Sequence, residues 1–457
     1  MLYSIKLNNF IGNSIYLSII IFILFSNNST NQLPIIYFLY TIIFLFKRKK
    51  NLLQLFSPLS LFYLYTSISF SIGAWAFNND IVLNNENLMA FKYFTNLRYS
   101  TCYILLALII IDNVDLKINF SNLIKEKSQY VYDNYNFNMQ QIFVILMVIV
   151  ILINLNIDLS FLGYSGSLNY FFFSIIILVA LIKISKLKTL TRIFCYLFIF
   201  VLLSFVLYSS KRELIFFILP IILLEVRNFK RLNIKAITTF IIGSLFIITS
   251  IITMSLLRGY GGLITNNNIS PIQILKSIPV YISNENFLKY LFNNLEVNYT
   301  FYHTYQAFEY IFNDSSLLIW GESIIKPFTL LIPRELFPIK PQSIIHRYTE
   351  IYSPIYREQG GSFPINLIAE SFFNFHCFGI LFLLLISIII SKSLKVIFKF
   401  NNKHYFVFFM FAYMNLLMLY RGSGFDLYAT YILLFLIFYS IATIPYYVLK
   451  KYYSSSK

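Results

Sequence analysis

WGESIIKPFTLLIPRELFPIKPQSIIHRYTEIYSPIYREQGGSFPINLIAESFFNFHCFG, residues 320–379, gathers Pro, Gly, Arg, Lys, His and Glu into one segment of an otherwise apolar and aromatic chain. The remainder reads as scaffold, and this stretch as the part that meets a substrate. Of the 457 residues, 58% are hydrophobic and only 12% charged, with a mean hydropathy of +0.70. A soluble domain carries about 25% charged residues. Half that share, with apolar runs approaching the roughly 20 residues of a perpendicular span, defines an all-α polytopic membrane protein.

Working outward from 320–379, twelve apolar segments can be placed. They are 10–25, 33–46, 55–77, 99–111, 139–155, 169–183, 192–208, 214–226, 236–257, 375–391, 404–420 and 427–447. No repeat and no Gly/Ser linker divides them. The expected organisation is a transmembrane bundle of about nine spans over 1–257, a large loop over 258–374, and three more spans over 375–457. The first apolar run has no small-residue cleavage site after it, so it reads as a retained helix.

The net charge of +17 comes from 36 Lys and Arg against 19 Asp and Glu. In a soluble protein that excess would suggest nucleic acid; here the positive-inside bias accounts for it. With the N-terminus in the cytoplasm, 23 basic residues fall inside and 13 outside, eight of the latter in the loop 258–374. Long loops translocate largely regardless of charge, so both termini are expected inside and the large loop outside. Cys102, Cys195 and Cys377 lie in or beside apolar runs, which argues against disulfides and a zinc site.

The outside charges that oppose this bias carry information. Lys211 and Arg212 occupy a short turn, Arg258 caps the ninth span, and Arg421–Gly–Ser–Gly424 joins the last two. All three face the large loop, an arrangement suited to a shared anionic ligand. Within the loop, Phe301, Tyr305, Phe308 and Phe312 recur at helical spacing, predicting an amphipathic helix in the interface with His303 on its surface. Pro327, Pro333, Pro338 and Pro341 forbid a long helix. They predict a surface or re-entrant segment presenting Arg334 and Lys340. Gly360–Gly–Ser–Phe–Pro364 predicts a helix start at Ser362 that runs into the tenth span. Ser362, Asn366, Glu370 and Asn374 are four apart and stack on one face. The helix N-terminus there offers free N–H groups to a phosphate.

IPRELFPIKP (332–341), GGSFP (360–364) and AESFFNFHCFG (369–379), entering a late span after a large loop, resemble the oligosaccharide repeat-unit polymerases, the Wzy-type O-antigen polymerases. GESII (321–325) and the Lys211–Arg212 and Arg421–Gly422 turns fit the same pattern. The resemblance is strongest over 320–380. One sub-pattern is absent: no Arg is followed by Gly eleven positions later. The resemblance implies a membrane glycosyltransferase of the inner membrane. Its donor would be an undecaprenyl-diphosphate-linked oligosaccharide, its acceptor a second lipid-linked repeat unit, and the reaction periplasmic. No cofactor, metal or nucleic acid would be needed, and a chain-length-regulating co-polymerase would be a partner. The chain has no Walker A pattern, no GxGxxG, and no Asp-x-Asp in the loop.

In that chemistry basic side chains stabilise the diphosphate leaving group. The residues for it are Arg212, Arg334, Lys211, Arg258, Lys340, Arg347, Arg357 and Arg421, with Ser362 and Asn366 at the helix start. Glu370 is the first choice as general base, followed by Glu322, His303 and His346. The competing expectations are an O-antigen ligase and a lipid-linked oligosaccharide flippase. The long outside loop and the scarcity of charge within spans disfavour the flippase.

Overall fold

The computed structural model describes residues 2–26, 30–49, 51–118, 120, 168–185, 187–206, 218–225, 276, 279–280, 282–294, 297–329, 332, 336–399 and 403–455. Among them helix is the only regular element, and the chain is all-α. In chain order the helices are α1 (Leu2–Phe25), α2 (Leu33–Arg48), α3 (Pro58–Asn78), α4 (Asn85–Lys92), α5 (Leu97–Leu116), α6 (Leu168–Ile184), α7 (Thr189–Val206), α8 (Phe287–Asn294), α9 (Val297–Asn313), α10 (Glu322–Ile325), α11 (Ile344–Tyr352), α12 (Pro354–Glu358), α13 (Leu367–Phe375), α14 (Gly379–Lys399), α15 (Lys403–Met414), α16 (Leu416–Arg421) and α17 (Phe425–Ser455). Three helical stretches are long and apolar enough to cross a membrane: Pro58–Asn78, Leu97–Leu116 and Leu367–Val396. Four shorter apolar helices are Asn9–Phe25, Ser174–Ile184, Phe406–Arg421 and Phe425–Ser440. The apolar segments 139–155 and 236–257 lie outside the described residues.

Local sequence sets the helix ends. Pro34 stands in the first turn of α2, where a missing N–H costs nothing. Pro58 opens α3, and the Ser57 hydroxyl accepts from the Ser60 N–H at 3.1 Å. Asn84 caps α4 by accepting from the N–H groups of Glu86 and Asn87.

α2, α3 and α5 share a charged end, where the last turns of α2 and α5 meet the first turn of α3. Lys47 and Arg48 close α2, and Asp112 and Asp115 sit in the last turns of α5. Arg48 reaches Asp112 and Asp115 at 2.5 Å each, and Lys47 also binds Asp112. All four side chains are buried. Ser57 and Ser60 donate to the Asp115 carboxylate, and Gln54 donates to its backbone carbonyl. Lys47 and Arg48 are therefore not solvated flanking charges, as the positive-inside count treats them. A buried cation of this kind needs a fixed counter-charge, and α5 supplies it.

α9 also departs from its expected place. It packs along α3 and against α5 and α13. At Gly73 of α3 a Cβ would stand 2.6 Å from the Phe301 Cβ, so a side chain there would hold the helices apart. Phe301, Tyr305 and Phe308 are buried, but so are His303, Gln306 and Glu309 on the other faces. The polar positions are covered because partners exist for them. Glu309 accepts from the N–H groups of Thr95 and Asn96 at the start of α5, and Tyr37 and Thr101 bond the Tyr305 hydroxyl. A helix read as half-exposed is thus enclosed on all sides.

Candidate functional site

The site is built where α13 meets the start of α17. The helix predicted from Ser362 begins at Leu367, with Asn366 as its cap accepting from the Ala369 N–H at 2.9 Å. Ser362 lies outside the helix, exposed, in the turn that follows α12. Before the cap, the chain is held extended: Ile365 N–H donates to the Gly422 carbonyl at 2.8 Å, and Ile365 pairs with Ser423 in an isolated parallel bridge. Gly422 has φ 123°, and a Cβ there would meet the Ile365 N at 2.8 Å. Only glycine allows the Arg421–Gly424 turn to lie this close to the Gly360–Pro364 segment. The two glycine-bearing turns are thereby brought side by side from opposite ends of α13–α16.

Past the cap, Asn366, Glu370 and Asn374 are all buried. Glu370 Oε2 accepts from the Phe425 N–H at 2.5 Å, placing a carboxylate on the N-terminus of α17, where the helix dipole favours negative charge. Asp426, the next residue, accepts through Oδ2 from Lys326 Nζ at 2.9 Å and from Ser343 Oγ at 2.8 Å. Glu370 and Asp426 are near enough to interact electrostatically, and Lys326 faces both. Asn374 accepts from the Gly321 N–H at 3.0 Å and donates to Ser323 Oγ at 2.9 Å, pinning the 321–326 segment over the pair. Among the described residues, Glu370 Oε1, Asp426 Oδ1 and Asn366 Nδ2 are buried with no hydrogen-bond partner. Such groups are rare, because each forfeits its hydration without replacement.

The surrounding charges come from α10 to α12. Arg347 stands 3.7 Å from Glu322, both partly exposed. His346 is held neutral, pushed down to about 4 by burial and by the positive charges of Arg357 and Lys326, with Asp426 opposing. His303 is fully buried rather than on the surface, and burial pushes it down to about 3. Its Nδ1 meets the Tyr348 hydroxyl at 2.8 Å, and its ring packs on Phe363 and Tyr352. It reads as a core residue of the loop. Thr349 Oγ1 accepts from the Phe363 N–H, tying the GGSFP turn to α11.

Of the residues singled out in the sequence, the structure brings Glu370, Asn366, Arg347 and Arg357 into one neighbourhood, with the Arg421 backbone at its edge, where its carbonyl accepts from Thr300. Lys340 stands apart, donating to the Ile332 carbonyl at 3.1 Å. Lys211, Arg212, Arg258 and Arg334 lie outside the described residues. Lys326 and Asp426 were missed. One signal was available for Asp426: it is the only acidic side chain after Glu370 in the chain. Among the described residues no group of three or more His, Cys, Asp and Glu is placed to hold a metal ion. An open, almost wholly apolar groove of about 530 Å³ between α2, α3 and α8, lined by Phe38, Trp75 and Phe292 among others, has no charged lining and is separate from these residues.

Compared with known protein families, curated proteins and solved structures, the chain matches none.

Proposed function

We propose that the chain is a polysaccharide polymerase of the inner membrane. It joins undecaprenyl-diphosphate-linked oligosaccharide repeat units into O-antigen or capsule-type polymer at the periplasmic face. The topology proposed with it has twelve spans, both termini in the cytoplasm and the 258–374 loop in the periplasm. The observation that carries the reading is the buried Glu370–Asp426 pair, with two unpartnered carboxylate oxygens and one lysine for the two acids. It lies against the residues that carry the resemblance to repeat-unit polymerases.

The chemistry follows from the charges. A new bond forms between an acceptor hydroxyl oxygen and the donor's anomeric carbon, and the bond from that carbon to the diphosphate breaks. The diphosphate leaves with the electron pair; the hydroxyl proton passes to the carboxylate pair, with Glu370 Oε1 the unpartnered oxygen placed to take it. The Lys326 side chain is about one-fifth exposed while Asp426 is fully covered, so Lys326 is the member of the cluster that an incoming anion meets first. A diphosphate drawing Lys326 away from Asp426 uncovers the carboxylates as it binds. Arg347, paired with Glu322, and Arg357, which acts on His346 together with Lys326, are the further cations of this neighbourhood, and each charge-assisted bond to the leaving group contributes about 1.5–3 kcal/mol.

Deletion of the gene tests the reading on a gel of surface glycan. A polymerase leaves glycan capped by a single repeat unit with no ladder. Loss of all surface glycan with unflipped intermediates would instead mark a flippase. Intact polymer that never reaches its lipid core would mark an O-antigen ligase.

A further inference from the structure

The segment that delivers Lys326 has an unusual surface. Trp320, Ile325, Phe328, Leu336, Ile339 and Phe378 are 54–86% exposed. Trp320 holds a left-handed backbone (φ 46°) that turns it outward while Gly321 packs on the Phe375 ring. Of the charged groups of the described part of this arm, Lys326 turns inward to Asp426, and the partly exposed Glu322 pairs with Arg347. An arm in water would show the reverse pattern.

This apolar face does not end at the arm. Ile319 N–H donates to the Phe373 carbonyl, which fixes the arm to the end of α13. Phe378 follows, and then Leu381, Leu385 and Ile389, exposed at helical spacing down α14. Those residues belong to the Leu367–Val396 stretch, long and apolar enough to span, and their exposed stripe is its lipid-facing side. The arm's surface is continuous with it. Pro327 and Pro338 lack N–H groups, and Lys340 satisfies the Ile332 carbonyl, which lowers the cost of irregular backbone at shallow depth.

We infer that the described part of this arm, residues 320–329, 332 and 336–339, is seated in the hydrocarbon edge of the bilayer, with Trp320, Phe328, Leu336 and Ile339 among lipid tails, so that Lys326, the partly exposed member of the cluster, faces the membrane edge rather than bulk water. The occupant of the apolar face is membrane lipid. The ligand that reaches Lys326 by this route is an anion carried on a lipid. The placement of the arm depends only on α14 spanning a membrane and stands whether or not the chain polymerises glycan.

The chain has two tryptophans, Trp75 and Trp320. The Trp75→Phe protein therefore reports on Trp320 alone, and Trp320→Phe on Trp75 in α3. Each is reconstituted into phosphatidylcholine–phosphatidylglycerol vesicles, with or without acyl chains brominated near the headgroup. Brominated lipid is expected to quench Trp320 at least twofold, as it does the Trp75 control, while iodide quenches it several-fold less than free tryptophan amide. Phe328→Trp in a background lacking both tryptophans should behave the same way, and it covers the case in which one variant fails to fold. Emission indifferent to bromine, both from Trp320 and from the Phe328→Trp protein, overturns the inference. That holds whether iodide quenches the emission, as in an aqueous loop, or neither agent does, as in a contact between two copies.

Discussion

Two buried ion clusters sit at different places in this chain, and they are built on opposite principles. At the α2–α5 end, two cations face two carboxylates, and Ser57 and Ser60 close the remaining contacts on Asp115. Every charge has an opposite, only the Arg48 Nε lacks a hydrogen-bond partner, and nothing reaches the surface. At the α13–α17 junction, among the described residues, two carboxylates share one lysine, two of their oxygens have no partner, and the lysine is partly exposed. A balanced cluster fixes helices relative to one another. An unbalanced one stores unsatisfied electrostatic demand, which is how binding and proton-transfer sites are made. Charge alone does not tell the two apart; satisfaction of the charge does.

The largest effect should separate the clusters by function. Glu370→Gln keeps the shape and the Phe425 contact but removes the proposed base, so ladder formation in a membrane polymerisation assay should fall about 10²–10⁴-fold. The protein should remain at normal abundance in the membrane. A variant that makes full-length ladders would take Glu370 out of the chemistry and make the two clusters alike.

Arg48→Met should do the converse. It leaves Asp112 with only Lys47 and strips Asp115 of its cation, and breaking a buried pair from one side costs about 3–5 kcal/mol. Thermal unfolding in detergent should show a clear drop in midpoint, with activity per folded molecule preserved. An unchanged midpoint would mean that water reaches the cluster.

The smallest effect is on pH. His346 and His303 bind protons near the usual imidazole value of 6.5 when unfolded but only near about 4 and about 3 when folded. The unfolded loop therefore holds more protons between those limits. Stability is full above 6.5 and declines as pH falls toward 4. The α2–α5 cluster contains no histidine, so its helices should not share the slope. His346→Gln should flatten the dependence of the unfolding midpoint between pH 7 and 5. Equal slopes in the two proteins would remove His346 as the cause.

The spacing of Asn366, Glu370 and Asn374 was legible because a helix repeats every three to four residues, and all three are buried on α13. The cap at Asn366 rather than Ser362 was not, because Ile365 is first pulled extended by the Gly422 carbonyl, a contact from another part of the chain. Lys326 read as one basic residue among many; its meaning comes from Asp426, a hundred positions away. His303 read as a surface group because its own helix alternates polar and aromatic positions; Tyr348 and Tyr352 of α11 and Phe363 of the GGSFP turn enclose it from outside.

The sequence by itself determined that this chain is all-α, that several of its helices are apolar enough for a membrane, and that chemistry-bearing residues concentrate in 320–379. Composition and periodicity suffice for that, since both act over a few residues at a time. The tertiary structure decided which charges cancel and which do not. That depends on pairings such as Arg48 with Asp112 and Lys326 with Asp426, which join distant segments only after the helices have packed. Burial then turns each pairing, or its incompleteness, into a large free-energy difference, and local sequence contains no term for it.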